Sequence, residues 1–82
     1  MNRKRESYDR VIVGERIKKQ RQELKMSQKQ LAEKIDRATK YCSDIECGMC
    51  GMSIETMIAI AEALEMSMDY MIFGRVPEQA GL

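Results

Sequence analysis

An all-α fold of five short helices is what this sequence predicts, and three features predict it. Apolar residues recur three and four positions apart from residue 11 to residue 73, the period of one helix face. Ser27, Ser53 and Ser67 each stand directly before such a stretch, as N-caps do, and Gly48 and Gly74 each follow one, as helix stops do. No segment alternates apolar and polar residues as a half-buried strand would, and there is neither a repeat nor a low-complexity run. Eighty-two residues hold one hydrophobic core and no second one.

Taken in order, residues 1–10 read as a flexible basic arm, 11–74 as the folded domain and 75–82 as a short C-terminal tail marked by Pro77 and Gly81. The first helix is expected over residues 11–25, with Ile12, Ile17 and Leu24 among its buried positions and Gly14 tolerated near its start. The second runs from about Gln28 to Ile35. Ser27 caps it, and Gln30 completes an S-x-x-Q capping box. Leu31, Ala32 and Ile35 form its inward stripe, Ala32 being small where a crossing helix needs room. The third runs from about Thr39 to Cys47, turns Tyr41, Cys42 and Ile45 inward and is stopped by Gly48. After a loop over residues 48–52, Ser53 caps a fourth helix whose periodic residues are Ile54, Met57, Ile58, Ala61 and Leu64. Ser67 caps a fifth, Met68 to Phe73.

The second and third helices are the informative pair. Their inward stripes leave Thr39, Lys40, Ser43 and Asp44 pointing outward, beside the open N-terminus of the second helix. An exposed helix held next to a helix N-terminus can enter a DNA major groove while the neighbouring amides rest on phosphate. The same caps and stripes would also suit any small helical bundle.

The order of these residues resembles the phage-repressor-like, Cro-type helix-turn-helix family of bacterial DNA-binding domains. The matching pieces are Gly14-Glu15-Arg16-Ile17, Arg21, Met26-Ser27-Gln28-x-x-Leu31-Ala32, Ile45-Glu46-x-Gly48, Met52 to Met57, Ala61 to Leu64 and Ser67 to Gly74. They share one register without gaps. The resemblance implies a five-helix repressor-like domain, with the helix-turn-helix formed by helices two and three. It also implies base contacts from Thr39, Lys40, Ser43 and Asp44, where lysine donates to guanine and aspartate accepts from the cytosine amino group. Phosphate contacts fall on Ser27, Gln28, Lys29 and Tyr41, with Arg3, Lys4 and Arg5 of the arm as additions. Arg21 and Glu46 are implied to form an interhelical ion pair.

Several positions depart from the family pattern. Asp36 stands at a turn usually held by Gly, Arg37 replaces an aliphatic and Gln20 replaces a core Leu. Ala38 occupies the cap site of helix three, at a cost of about 1 kcal/mol. Cys47, Met49 and Cys50 stand where relatives carry Arg, Lys or Asn that meet phosphate, which lowers the expected affinity for DNA.

Charge is divided along the chain. Residues 1–40 hold 13 Lys/Arg against 6 Asp/Glu, and residues 41–82 hold 1 against 7, although the net charge is only +1. Such a dipolar chain presents one side to phosphate or pairs its own halves. No apolar run approaches the ~20 residues of a membrane span. The basic start runs into Glu6, Ser7, Tyr8 and Asp9 rather than an apolar segment, which argues against a signal peptide and for a cytoplasmic protein.

The eight methionines fall mostly at apolar helix positions, as core filler. Cys42, Cys47 and Cys50 make C-x4-C-x2-C, but a structural zinc wants four ligands and the chain has no His and no fourth Cys. Neither a metal nor another cofactor is expected. A nucleophilic Cys would lack a His partner and the carboxylates are scattered, so no catalytic residue is assigned.

The resulting expectation is a sequence-specific transcriptional regulator with double-stranded DNA as partner. It would act as a homodimer on a two-fold operator, because one such domain touches only a few base pairs. Met68, Tyr70, Met71 and Phe73 are the expected source of dimer area. The alternative is a protein-interaction module on the same scaffold, antitoxin-like or a co-regulator, with a protein partner and weak DNA binding.

Overall fold

In the computed structural model, residues 8–76 are described. The arm residues Arg3, Lys4 and Arg5 and the tail from Pro77 to Leu82 lie outside them. Five α-helices follow in order, with no strand among the described residues: α1 Arg10–Glu23, α2 Gln28–Ile35, α3 Thr39–Glu46, α4 Ile54–Leu64 and α5 Met68–Phe73. Helix α3 packs on α2 and α1, α4 packs on α2 and α1, and α5 packs on α1 and α4. Val13, Ile17, Leu31, Ile45, Ile60, Leu64 and Met71 form the centre of one core.

Local chemistry sets the starts. Asp9 caps α1 by accepting from the amides of Val11 and Ile12. Ser27, Ser53 and Ser67 each accept from the amide three residues on. The Ser27 box is reciprocal, since its own amide donates to Gln30 Oε1 at 2.8 Å. Only α3 lacks a side-chain cap, because Ala38 has no acceptor to offer. Left-handed residues follow or end every helix: Lys25, Asp36, Gly48, Glu65 and Gly74. After α3 the amides of Gly48 and Met49 fold back onto the carbonyls of Ile45 and Asp44, a Schellman closure that Gly48 adopts without Cβ strain.

Four expectations fail, one on a backbone turn and three on packing. Helix α1 ends at Glu23 rather than reaching residue 25, because Lys25 turns to φ 57°. Its buried stripe is Val13, Gly14, Ile17 and Arg21, so Ile12 and Leu24 face solvent. On α4 the stripe is Thr56, Met57, Ile60, Ala61 and Leu64, which leaves Ile54 64% exposed and Ile58 exposed as well. Apolar spacing allowed both choices on α4, and the neighbours selected one. Met71 is wholly buried and cannot supply dimer surface; of the four expected residues only Phe73 is exposed, while Met68 and Tyr70 are half-buried.

Gly14 is required rather than merely tolerated. A Cβ there would press against the backbone carbonyl oxygens of Ile45 and Glu46, the latter at 2.7 Å, and neither can swing aside as a side chain would. This contact sets how closely α1 approaches the end of α3. Gly14→Ala should therefore lose about 1–3 kcal/mol of stability despite alanine's better helix propensity, read as a lower urea midpoint.

Candidate nucleic-acid interface

Helix α3 is held from within. Cys42, Ile45 and Glu46 are buried, and the Glu46 carboxylate is the hub. Arg21 on α1 donates to it twice, Nε to Oε2 at 2.6 Å and Nη2 to Oε1 at 2.9 Å. Gln28 at the start of α2 donates Nε2 to Oε1 at 3.0 Å. Arg21 Nη1 donates to the Met26 carbonyl at 2.7 Å, just before α2. The two charged side chains are only 9% and 2% exposed. The Glu46 hydrogen bond holds the Arg21 pKa above its ordinary value. Burial, then the Glu46 charge, pushes the Cys42 thiol up, so Cys42 stays neutral and packs as a small apolar residue.

With that face fixed, Thr39 and Lys40 are exposed and Ser43 and Asp44 half-exposed on the other. Lys40 and Asp44 do not stand free. Their side chains pair at 3.0 Å across one helical turn. At the start of α2 the hydroxyl oxygen of Ser27 is engaged by the Gln30 amide and Gln28 by Glu46, whereas Lys29 is exposed. The capping box satisfies the third amide of α2 and leaves those of Gln28 and Lys29 open, a small concave donor site for an anion. Tyr41, expected on the inward face, is half-buried at its edge, with the Arg37 guanidinium 5.9 Å from its ring centroid. The structure thus gathers the α2 and α3 residues on one side of the molecule and sets Arg21 and Glu46 beneath them.

Two basic residues near this surface were not assigned a role from sequence. Arg10 belongs to α1 rather than to the arm, and Arg37 stands exposed in the turn between α2 and α3. Asp9, one residue short of the apolar run Val11-Ile12-Val13, is the N-cap signal that the first helix begins at residue 10. The cysteines are all unpaired, with Cys42 buried, Cys50 half-buried and Cys47 exposed at the end of α3. Among the described residues no cluster of three His, Cys, Asp or Glu is placed to hold a metal. No described helix is long and apolar enough to cross a membrane.

A short helix locked at its inner face, open at its outer face and crossed by a capped partner defines a helix-turn-helix module. Comparison with known proteins agrees. The helix-turn-helix family model matches residues 17–71. The immunity repressor protein of Bacillus phage phi105 is 44% identical over 54 residues, which are 66% of this chain and 38% of that repressor. The crystal structure of the P22 c2 repressor in complex with a synthetic operator superposes with a TM-score of 0.75 at 30% identity, covering 78% of this chain and 97% of that one. That of SinR, a master regulator for biofilm formation, in complex with DNA gives 0.68 at 33% identity, covering 72% and 95%. The chain belongs to the helix-turn-helix family and has the phage-repressor-like fold, and it spans well under half the length of the curated repressor it matches.

Removing one partner of a buried pair strands the other charge. Glu46→Ala should cost about 3–5 kcal/mol in urea unfolding, and Arg21→Met with Glu46→Leu should recover much of it by removing both charges together.

Proposed function

We propose that this chain is a DNA-binding transcriptional regulator that reads specific sequences as a homodimer on a two-fold-related site. The observation that carries the proposal is the outer face of α3, where Thr39 and Lys40 are exposed and Ser43 and Asp44 half-exposed on a helix anchored from within. Lys40 donates to guanine O6 and N7 and Asp44 accepts from a cytosine amino group, so the pair suits G·C-containing steps. Thr39 meets a thymine methyl, and Ser43 adds a hydrogen bond of either sense. In the free protein Lys40 and Asp44 occupy each other, and exchanging so exposed an ion pair for base edges costs little.

Phosphate is met by the open amides of Gln28 and Lys29, the Lys29 ammonium, the Ser27 hydroxyl proton and the Tyr41 phenol. The operator complex of the P22 c2 repressor and the DNA complex of SinR support this placement by analogy. Two copies are proposed because a single domain spans too few base pairs for useful discrimination. Ile54, Ile58, Phe73 and Val76 supply exposed apolar area for their contact. A DNA partner also implies action in the cytoplasm, where the template lies. A second reading, docking to a protein partner, draws on the uncharged loop after α3, where Met49 is 71% exposed.

Lys40→Ala should lose about 1–3 kcal/mol of discrimination at one base pair and leave the others unchanged, read by competition between single-base operator variants. Lys29→Gln should instead weaken all sequences alike and flatten the salt dependence by about one unit. Equal losses on specific and random duplexes in both variants would remove the base-reading role of Lys40. Sedimentation should show two chains per operator; one chain per operator at saturation would remove the dimer.

A further inference from the structure

A major groove has two sugar–phosphate walls, and a helix lying in it has two flanks. On one flank of α3 stands the start of α2, joined through Gln28 to Glu46. Tyr41 lies five residues before Glu46, about 140° away round the helix, and so borders the other flank. That second flank is built by residues from three separate stretches of the chain. The Arg10 guanidinium reaches across from α1 to the loop after α3, its Nε and Nη2 3.3 and 3.4 Å from where a Cβ on Gly51 would stand. The Tyr8 phenol lies within electrostatic reach of Arg10, Tyr41 and Cys50. Arg37, in the turn before α3, stands over the Tyr41 ring, with Nη2 3.5 Å from Thr56 Oγ1.

No ion pair engages Arg10 or Arg37 among the described residues, and both are exposed. The intervening loop, residues 48–52, brings no charge of its own. Two guanidinium groups without an ion pair and two phenols, beside a helix shaped for the groove, complement phosphates. Planar guanidinium forks donate to phosphate oxygens two at a time, and phenols donate to them singly.

We infer that Tyr8, Arg10, Arg37 and Tyr41 form a second phosphate-binding flank, gripping the strand across the major groove from the one met by α2. The inference rests on the DNA-binding reading and adds Tyr8 and two guanidinium groups to a wall that reading leaves to Tyr41 alone. It assigns to α1 and to the inter-helix turn the cations that the loop after α3 lacks.

Phosphate contacts are independent of sequence, so a mixed-sequence duplex of about three helical turns is a sufficient probe. Anisotropy titrations of the full chain between about 50 and 200 mM salt give the slope of log K against log salt. Arg10→Gln and Arg37→Gln should each make that slope shallower by about 0.9, the value of one lost phosphate contact. Arg10→Lys should keep it. Lys19→Gln removes the same charge from α1 nine residues on, about two and a half turns away and on the opposite side, and should also keep it. If the wild type binds with a salt-dependent slope but both arginine variants match Lys19→Gln, the flank is overturned and the DNA reading stands. An Arg10→Gln effect on self-association with no change of slope overturns it too, making the flank a contact between copies. A wild type that binds no duplex at any salt overturns both.

Discussion

The Glu46 carboxylate is the point on which the arrangement of the DNA-facing surface depends. It accepts three N–H groups, two from Arg21 on α1 and one from Gln28 on α2, while Arg21 also donates to the Met26 carbonyl. A buried ion pair adds little net stability over an apolar replacement, because desolvating both charges offsets their attraction. What it contributes here is direction. Guanidinium forks and carboxylates accept few relative orientations, so one pair sets α3 against α1 and ties the entry of α2 to both. Gly14 completes the constraint by letting α1 come into contact with the last carbonyls of α3.

That inner lock explains why the outer surface can be polar and still held in place. The backbone of α3 is positioned by Cys42, Ile45 and Glu46, so its outward side chains carry no structural duty and are free to meet a ligand. The N-termini of the helices follow the same division. Ser27 and Gln30 satisfy each other and leave the first amides of α2 open, and Ala38 leaves those of α3 without any side-chain acceptor. An uncapped N-terminus costs about 1 kcal/mol in a free helix, yet beside phosphate it becomes a set of unpaired donors aimed at an anion.

Polar residues also do work on the side away from α3. Gln20, at a site that suggested a core leucine, donates Nε2 to the Leu64 carbonyl at 2.8 Å and so closes the end of α4. Arg16 donates Nη1 to the carbonyls of Met71 and Ile72, each at 3.1 Å, and closes the end of α5. Terminal carbonyls inside a small protein need donors, and α1 provides them. Helix α5 is only one and a half turns long and is held through this contact and the burial of Met71.

Existence and order of the five helices, and the starts of α2 to α5, were legible in the sequence because they are local, whereas α1 starts at Arg10 behind the Asp9 cap, one residue before the expected position. A serine finds its amide three residues away, a glycine turns left-handed in place, and periodicity needs no partner. The pairing of Arg21 with Glu46, 25 residues apart, came only through family resemblance, since spacing alone does not bring two charges together. What the tertiary structure decided was which of two permitted stripes is buried: Val13 over Ile12 on α1, and Ile60 over Ile54 and Ile58 on α4. It also decided that Gln28 serves Glu46, that Lys40 and Asp44 meet, that Arg10 reaches the loop after α3 and that Arg37 stands over Tyr41. Local bonds are written in neighbouring residues, whereas burial and convergence depend on surfaces that exist only once the helices have packed.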